Sequence, residues 1–405
     1  MSDNISFEIQ MEIIERIPDI KWVIQYRSVS KAWKSVIDSK KFVTAHTLRH
    51  HQAHNNRHHL LIRTQDCQDC KGCTGTRPIS EHCIDTPVKY FSIVDDDVTF
   101  PHEKVSVPDS VEELFRYEAV IVGVCHGLFC LYEYSRTAVI WNPSLTKTVV
   151  IPVSNVDRCM TDVGFRVCPR NLDPKLVKIT RVDDVNVGPQ VEVFSLSSGG
   201  TWRSPLGSNV PDRSIEFGYG QVVVDEFIYW FAFDRINVDD DTFRIRNPNL
   251  IMSFDLTSEE FTKVDLPDSL ALDNPHTGVS LYNLRESLVV LERESDRFYS
   301  RKLYHVWMMI GHGCARSFNK LYSINASPDV ALVHSILGFR NTGAPIVEVD
   351  NDKEHYYPHE RALAVYDPES KSNTNIGIYG LYCSFSVHSY METLLLLDNQ
   401  DLGQR

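Results

Sequence analysis

Apolar residues are spaced in two different ways along this chain. From Ser2 to Phe42 they recur with helical periodicity. At about 100° per residue, Ile5, Ile9, Ile13 and Ile17 form one stripe, and Phe7, Met11 and Ile14 form a second beside it. Only Glu8, Glu12, Glu15 and Arg16 keep a polar edge. Pro18 ends this helix, and Ser30 is placed to cap another, so the segment predicts two or three short helices. A helix that is apolar on two sides needs two covering surfaces, and a segment of ~40 residues seldom builds a core alone. It packs on a partner or on the rest of its own chain, and the pattern allows both.

Beyond Arg57 the text changes to short runs of β-branched and aromatic residues between Gly, Pro, Asn and Asp clusters, which predicts strands. A unit recurs in which a strongly apolar strand is followed by a second one ending in aromatic-Asp/Asn-Pro/Leu. The pairs are Gly127-LFCLY with Ala138-VIWNPSL, Lys175-LVKITRV with Val191-EVFSLSS, and Glu226-FIYWFAF with Leu250-IMSFDLTSEEF. Less regular units are Glu286-SLVVLE with Leu303-YHVWMM, the Leu337 to Val349 stretch with Arg361-ALAVYDPES, and a last strand at Glu392-TLLLLD. The period, roughly 50 to 60 residues, is in the range of propeller blades. The last unit needs added strands to cover its edges, and His59-LLIRT and Lys89-YFSIV are the expected donors. The expected fold is α+β, a small N-terminal helical part followed by an all-β, propeller-like domain of about six blades. A pair of two-sheet sandwiches is the structural alternative.

Charge narrows the partners. With 41 basic against 54 acidic residues the formal charge is −13, which argues against a general binder of nucleic-acid backbones. No basic n-region with an apolar h-region and no membrane-length apolar stretch is found, so a soluble, intracellular protein of nucleus and/or cytoplasm is expected, without membrane contact. The 10 cysteines are then expected to be reduced thiols.

Candidate chemistry adds little. His46, His50, His54 and His58 would line one helical face, and Cys67, Cys70 and Cys73 follow, with His82 or Cys83 nearby. Such spacing permits zinc, but a second CxxC at a suitable distance is missing, so no metal is expected. Cys125 and His126, adjacent in a strand, would point to opposite faces and exchange a proton poorly; a turn before Gly127 is the expectation. The acidic runs 95–97 and 239–241 lack the ligand spacing of a calcium loop and are expected to be solvated loop tips. Trp141, Trp202, Trp230 and Trp307 are expected to pack between blades. Phosphate loops, nucleophile elbows and dinucleotide fingerprints are absent, so neither catalysis nor a cofactor is expected.

The wording of the helical segment is more specific. Ile5 to Phe42 contains IxxEIIxRIP and RSVSKAWKSVI and resembles an F-box of the plant type. Carried over by position, the resemblance implies that Ile5, Ile9, Ile13, Ile17 and Pro18 match the first-helix signature. Val29, Trp33 and Ile37 match the helical knob, and both sets pack on a Skp-type adaptor. Two positions depart from the pattern: Ser6 stands where proline is usual, and the stretch Asp19-Ile20-Lys21-Trp22 is one residue longer.

The remainder resembles the F-box-associated interaction domain of plant F-box proteins, with kelch-like relatives, through Val122-GVCHGLFCL, Ile140-WNPS, Val163-GFRVCP, Ile251-MSFDLTSEEF and Ala364-VYDPES. Arg166 and the loop Cys168-PRNLDP depart from it. The division is then 1–45 for the F-box, 46–58 for a His-rich linker and 59–405 for the substrate-binding domain. The resemblance implies a non-catalytic substrate-recognition subunit of a Skp-cullin-F-box E3 ubiquitin ligase. Such a subunit is joined through its adaptor to a cullin-RING core and holds an unidentified target protein. Two other readings stay open: a scaffold or decoy with a degenerate F-box, and a propeller enzyme or glycan-binding module.

Overall fold

The computed structural model describes residues 5–52, 58–65, 88–116, 119–133, 137–153, 161–181, 188–218, 220–234, 249–271, 277–295, 302–311, 316–325, 333–350, 360–382 and 384–397. The strand-like text forms six antiparallel sheets arranged as the blades of a closed propeller. Blade 1 consists of Val120–Cys125, Leu128–Glu133, Thr137–Asn142 and Lys147–Pro152, each paired with the next. Blades 2 to 5 follow in order over 161–203, 215–264, 277–325 and 333–381.

The uninterrupted apolar runs have a simple cause. Along Leu128–Glu133, Leu128, Cys130 and Tyr132 join the core between blades 1 and 2, whereas Phe129 and Leu131 join the core between blades 6 and 1. The strand still alternates with period two, but both faces are buried. Each of the six apolar clusters fills one gap between neighbouring blades.

Blade 6 closes the ring. Its strand order is Ser386–Tyr390, His59–Gln65, Val88–Val94 and His102–Lys104, with Leu61 opposite His388 and Ile62 opposite Phe91. The N-terminal strands are the donors expected from the sequence. The strand that they complete is not Glu392-TLLLLD, however. It lies upstream in Ser386–Tyr390, and Leu394 to Leu397 leave the sheet in a turn closed by Leu397 N–H donating to Leu394 O. The strand SVHSY offers only Val387 and Tyr390 to the neighbouring cores, so its apolar pattern is quiet. The four consecutive leucines are buried for another reason, treated below.

The aromatic-Asx turns share one mechanism. The carboxamide oxygen of Asn142 accepts from the N–H groups of Ser144 and Leu145, Asp255 accepts from Thr257, and Asp367 accepts from Glu369. In the Cys168-PRNLDP loop, Asp173 accepts from the Ser195 hydroxyl and from Ser197 N–H, and Leu172 takes a positive φ of 53°. The tryptophans pack as expected. Trp141 lies edge-on to Tyr90, Trp202 donates to Pro152 O, Trp230 packs on Phe217, and Trp307 donates to Glu292.

Gln221 locks blade 3 to blade 2. Its amide accepts from Phe165 N–H at 2.7 Å and donates to Phe165 O at 2.5 Å, occupying the free edge of the first strand of blade 2. Gly164 makes room, since a Cβ there would lie 2.3 Å from the buried Trp230 ring. Gly164→Ala is therefore expected to destabilise the fold by about 1–3 kcal/mol through overpacking. A fall in the urea midpoint with unchanged slope is the result that would show it.

Candidate functional site

Four helices precede the propeller: α1 (Phe7–Glu15), α2 (Ile20–Tyr26), α3 (Lys31–Ile37) and α4 (Lys40–Gln52). Each of the first three starts on a side-chain cap. Ser6 accepts from Ile9 N–H, Asp19 from Lys21 N–H and Ser30 from Trp33 N–H. Of the two departures from the F-box pattern, Ser6 is thus a cap, and the longer stretch starts on the capping Asp19 and continues as the first turn of α2. α4 runs on past Phe42 and takes in the first part of the histidine stretch 46–58, which was expected to be a linker.

The two apolar stripes of α1 have different fates. Met11 and Ile14 are buried in the core shared by the helices, blade 1 and blade 2. Ile5, Ile9 and Ile13 are about half exposed, at 45%, 51% and 50%. Phe7 is exposed as well, and so are Pro18, Trp22 on α2 and Val29 before α3. Ile17 and Trp33 are half-buried and pack against the shared core, with Trp33 edge-on to Tyr26. Ile37 is fully buried and presents nothing to solvent. Of the eight positions taken from the F-box pattern, five are therefore open to a partner, two are partly so, and Ile37 holds its helix in place. Trp22 was missed; its neighbours Ile20, Lys21, Val23 and Ile24 give no signal that sets it apart as exposed.

α1 and α4 are joined through histidines. His46 Nε2 donates to Ile17 O at 2.9 Å and His50 Nε2 to Glu15 O at 3.0 Å, satisfying carbonyls at the end of α1, and Arg49 pairs with Glu15. Because a carbonyl only accepts, both Nε2 atoms carry protons in this arrangement. His54, Cys67, Cys70, Cys73, His82 and Cys83 lie outside the described residues, among which no group of three or more potential metal ligands is found.

This joint is expected to be acid-sensitive. Burial lowers His46 to about 4, and burial next to Arg63 lowers His388 on the closing strand to about 4. A depressed histidine stabilises the fold fully above its unfolded value near 6.5 and loses that contribution as pH falls toward 4, about 3 kcal/mol for His46. Asp162, raised to about 6 by burial, acts in the opposite sense. The net expectation is a loss of stability between pH 6.5 and 4, read as a falling unfolding midpoint, with a shallower slope in His46→Gln.

The helices sit at one end of the blades. Lys40, Val43 and Thr44 of α4 border a cavity of about 120 Å³ together with the turn 171–174 and with Leu395 and Leu396. Turns joining first to second and third to fourth strands lie at that end, and the second-to-third connections leave from the other. Near the far end, Asp350 pairs with His334 at 2.7 Å and with Arg361 at 2.6 Å, and Arg361 lies over the exposed Tyr382 ring. Arg181 bridges Asp162 and Glu216 there as well. Cys125 and His126 form no nucleophilic pair: Cys125 is buried with its thiol pushed up, and His126 takes a φ of 49° in the turn before Gly127. Asp95, expected at a solvated tip, is buried against Arg340; residues 239–241 lie outside the described residues.

A closed six-bladed propeller thus carries capped helices at one end, one of them bare along a stripe of isoleucines. The family described as the F-box associated beta propeller domain matches residues 87–394, and the chain belongs to it. The relatives carry the rest of the resemblance. The F-box/kelch-repeat protein At3g23880 of Arabidopsis thaliana is 23% identical over 376 residues, 87% of this chain and 90% of that protein. The F-box protein At5g10340 of the same plant is 23% identical over 385 residues, 90% of this chain and 78% of that protein. Among solved structures, the propeller domain of the Trilobed protease from Pyrococcus furiosus covers 71% of this chain and 66% of its own, with a TM-score of 0.32 and 11% identity.

Proposed function

We propose that this chain is the substrate-recognition subunit of a Skp-cullin-F-box ubiquitin ligase. The observation that carries the proposal is the division of α1, whose Met11 and Ile14 stripe is used internally while Ile5, Ile9 and Ile13 are left bare beside it. An apolar row on a helix already fixed on its other side is a helix-face docking surface, and the F-box pattern assigns it to a Skp-type adaptor. Pro18 and Val29 would extend that contact, with Ile17 and Trp33 at its edge. The caps supplied by Ser6 and Asp19 favour this reading over a scaffold with a degenerate F-box, because neither departure disturbs a helix.

The target protein would bind at the far end of the blades, where the cluster of His334, Asp350, Arg361 and Tyr382 offers charge and an aromatic face. The chain then needs no catalytic residue of its own. Holding a target lysine near a charged conjugating enzyme makes transfer effectively intramolecular.

The test is co-purification of the full chain with a Skp-type adaptor and a cullin, followed by mass spectrometry of the retained proteins. Adaptor and cullin in the eluate are expected, and further proteins would nominate targets. An eluate without adaptor would turn the reading to a scaffold.

A further inference from the structure

The segment 391–397 is irregular backbone, yet Leu394 is fully buried and Leu395, Leu396 and Leu397 are nearly so. Irregular backbone has no ladder to satisfy its carbonyls when buried. Side chains of blade 1 take that role: Asn142 Nδ2 donates to Thr393 O at 3.0 Å and to Leu395 O at 2.7 Å, and Lys147 Nζ donates to Leu397 O at 3.2 Å. Gly127 lets the segment approach, since its φ is +77° and a Cβ there would lie 2.1 Å from Met391 O.

α4 closes on the segment from the other side. Thr47 and Thr393 are both buried, with their hydroxyls 3.5 Å apart. Leu394 to Leu397 belong to the same apolar cluster as Met11 and Ile14 of α1, Ile37 of α3 and the strands of blades 1 and 2. The leucine run is thus desolvated between two bodies, one helical and one β, and is fastened by hydrogen bonds to both.

We infer that residues 391–397 are a strut that locks the helices onto blade 1, so that the isoleucine stripe of α1 and the far end of the blades hold one fixed mutual orientation. Its consequence for ubiquitin transfer rests on the proposed ligase role: a rigid strut fixes the direction in which a bound target is presented. The strut itself does not depend on that role.

Hydrogen exchange on the full chain, without any adaptor, tests it. Asn142→Asp keeps the oxygen that accepts from Ser144 and Leu145, so the turn survives, but it cannot donate to Thr393 or Leu395. The expected result is exchange in α1 to α4 faster by about tenfold or more, with the strands of blades 2 to 5 unchanged. Helices as protected as in the parent chain would overturn the inference, and so would blade strands that exchange as fast as the helices. A second variant guards against a general fault in the first. Thr47→Cys with Thr393→Cys, oxidised with glutathione disulfide, is expected to form a cross-link and to restore helix protection in the Asn142→Asp background; no cross-link would overturn the contact. A parent chain that captures no Skp-type adaptor would remove the ligase reading and leave the exchange result standing.

Discussion

With Ile9 and Ile13 both replaced by aspartate, the chain is expected to lose capture of a Skp-type adaptor by roughly 100-fold or more while its stability changes by less than about 1 kcal/mol. The asymmetry follows from burial. Both side chains are about half exposed in the free chain, so carboxylates there stay hydrated and α1 loses no internal packing. In a complex those positions would be desolvated, and each carboxylate would face apolar surface without a hydrogen-bond partner. Ile14→Asp is the comparison that gives the result meaning. Ile14 is 3% exposed in the core shared with the propeller, and a charge there is expected to loosen the helices whether or not an adaptor exists. If Ile14→Asp lowers the unfolding midpoint and Ile9→Asp/Ile13→Asp does not, while only the latter leaves a folded chain that fails to bind, the bare stripe is the docking surface. Retention of adaptor by Ile9→Asp/Ile13→Asp would place the contact elsewhere.

Asp95→Ala is expected to cost about 3–5 kcal/mol, because it strands a buried cation. Asp95 follows the second of the three N-terminal strands that complete blade 6. Its carboxylate accepts from Arg340 Nε at 3.0 Å and from Asn341 N–H at 2.6 Å, across the boundary with blade 5. Arg340 also lies over the Phe100 ring. Neither partner has water to turn to, with Asp95 1% and Arg340 7% exposed. Removing the carboxylate leaves Arg340 unpaired at the seam where the two ends of the β domain meet. Hydrogen exchange should report the loss first in His59–Gln65 and Val88–Val94. Asp95→Ala combined with Arg340→Met is expected to recover most of the loss, since neither charge then remains buried alone. A double variant as unstable as Asp95→Ala would show that Asp95 acts through Asn341 rather than through the ion pair.

Much of the architecture was legible because it is local. The strand runs, the Asn142, Asp255 and Asp367 turns and the Ser30 cap each depend on residues within a few positions of one another, as does the break at Pro18. The donor strands 59–65 and 88–94 were legible too, because a blade short of strands must be completed by something. The misreadings have physical causes. Ser386–Tyr390 was overlooked because only Val387 and Tyr390 of its five residues are apolar, one facing each neighbouring blade. Glu392-TLLLLD looked like a strand because burial on two sides produces an apolar run whatever the backbone does. Asp95, within a run of three acids, looked solvated because nothing near it in sequence hints at Arg340.

The same distinction divides the candidate site. The sequence by itself determined that the N-terminal helix carries two apolar stripes, that the chain is acidic, and that its remainder repeats a strand unit about six times. Those are consequences of periodicity and composition, which neighbouring residues set. Which stripe is covered and which is left for a partner was decided only in three dimensions, where Met11 and Ile14 meet the shared core and Ile5, Ile9 and Ile13 do not. The contacts that settle it, His46 with Ile17, Thr47 with Thr393 and Asn142 with Leu395, join residues far apart in the chain. A stripe records only that a side chain is apolar; what buries it depends on long-range packing.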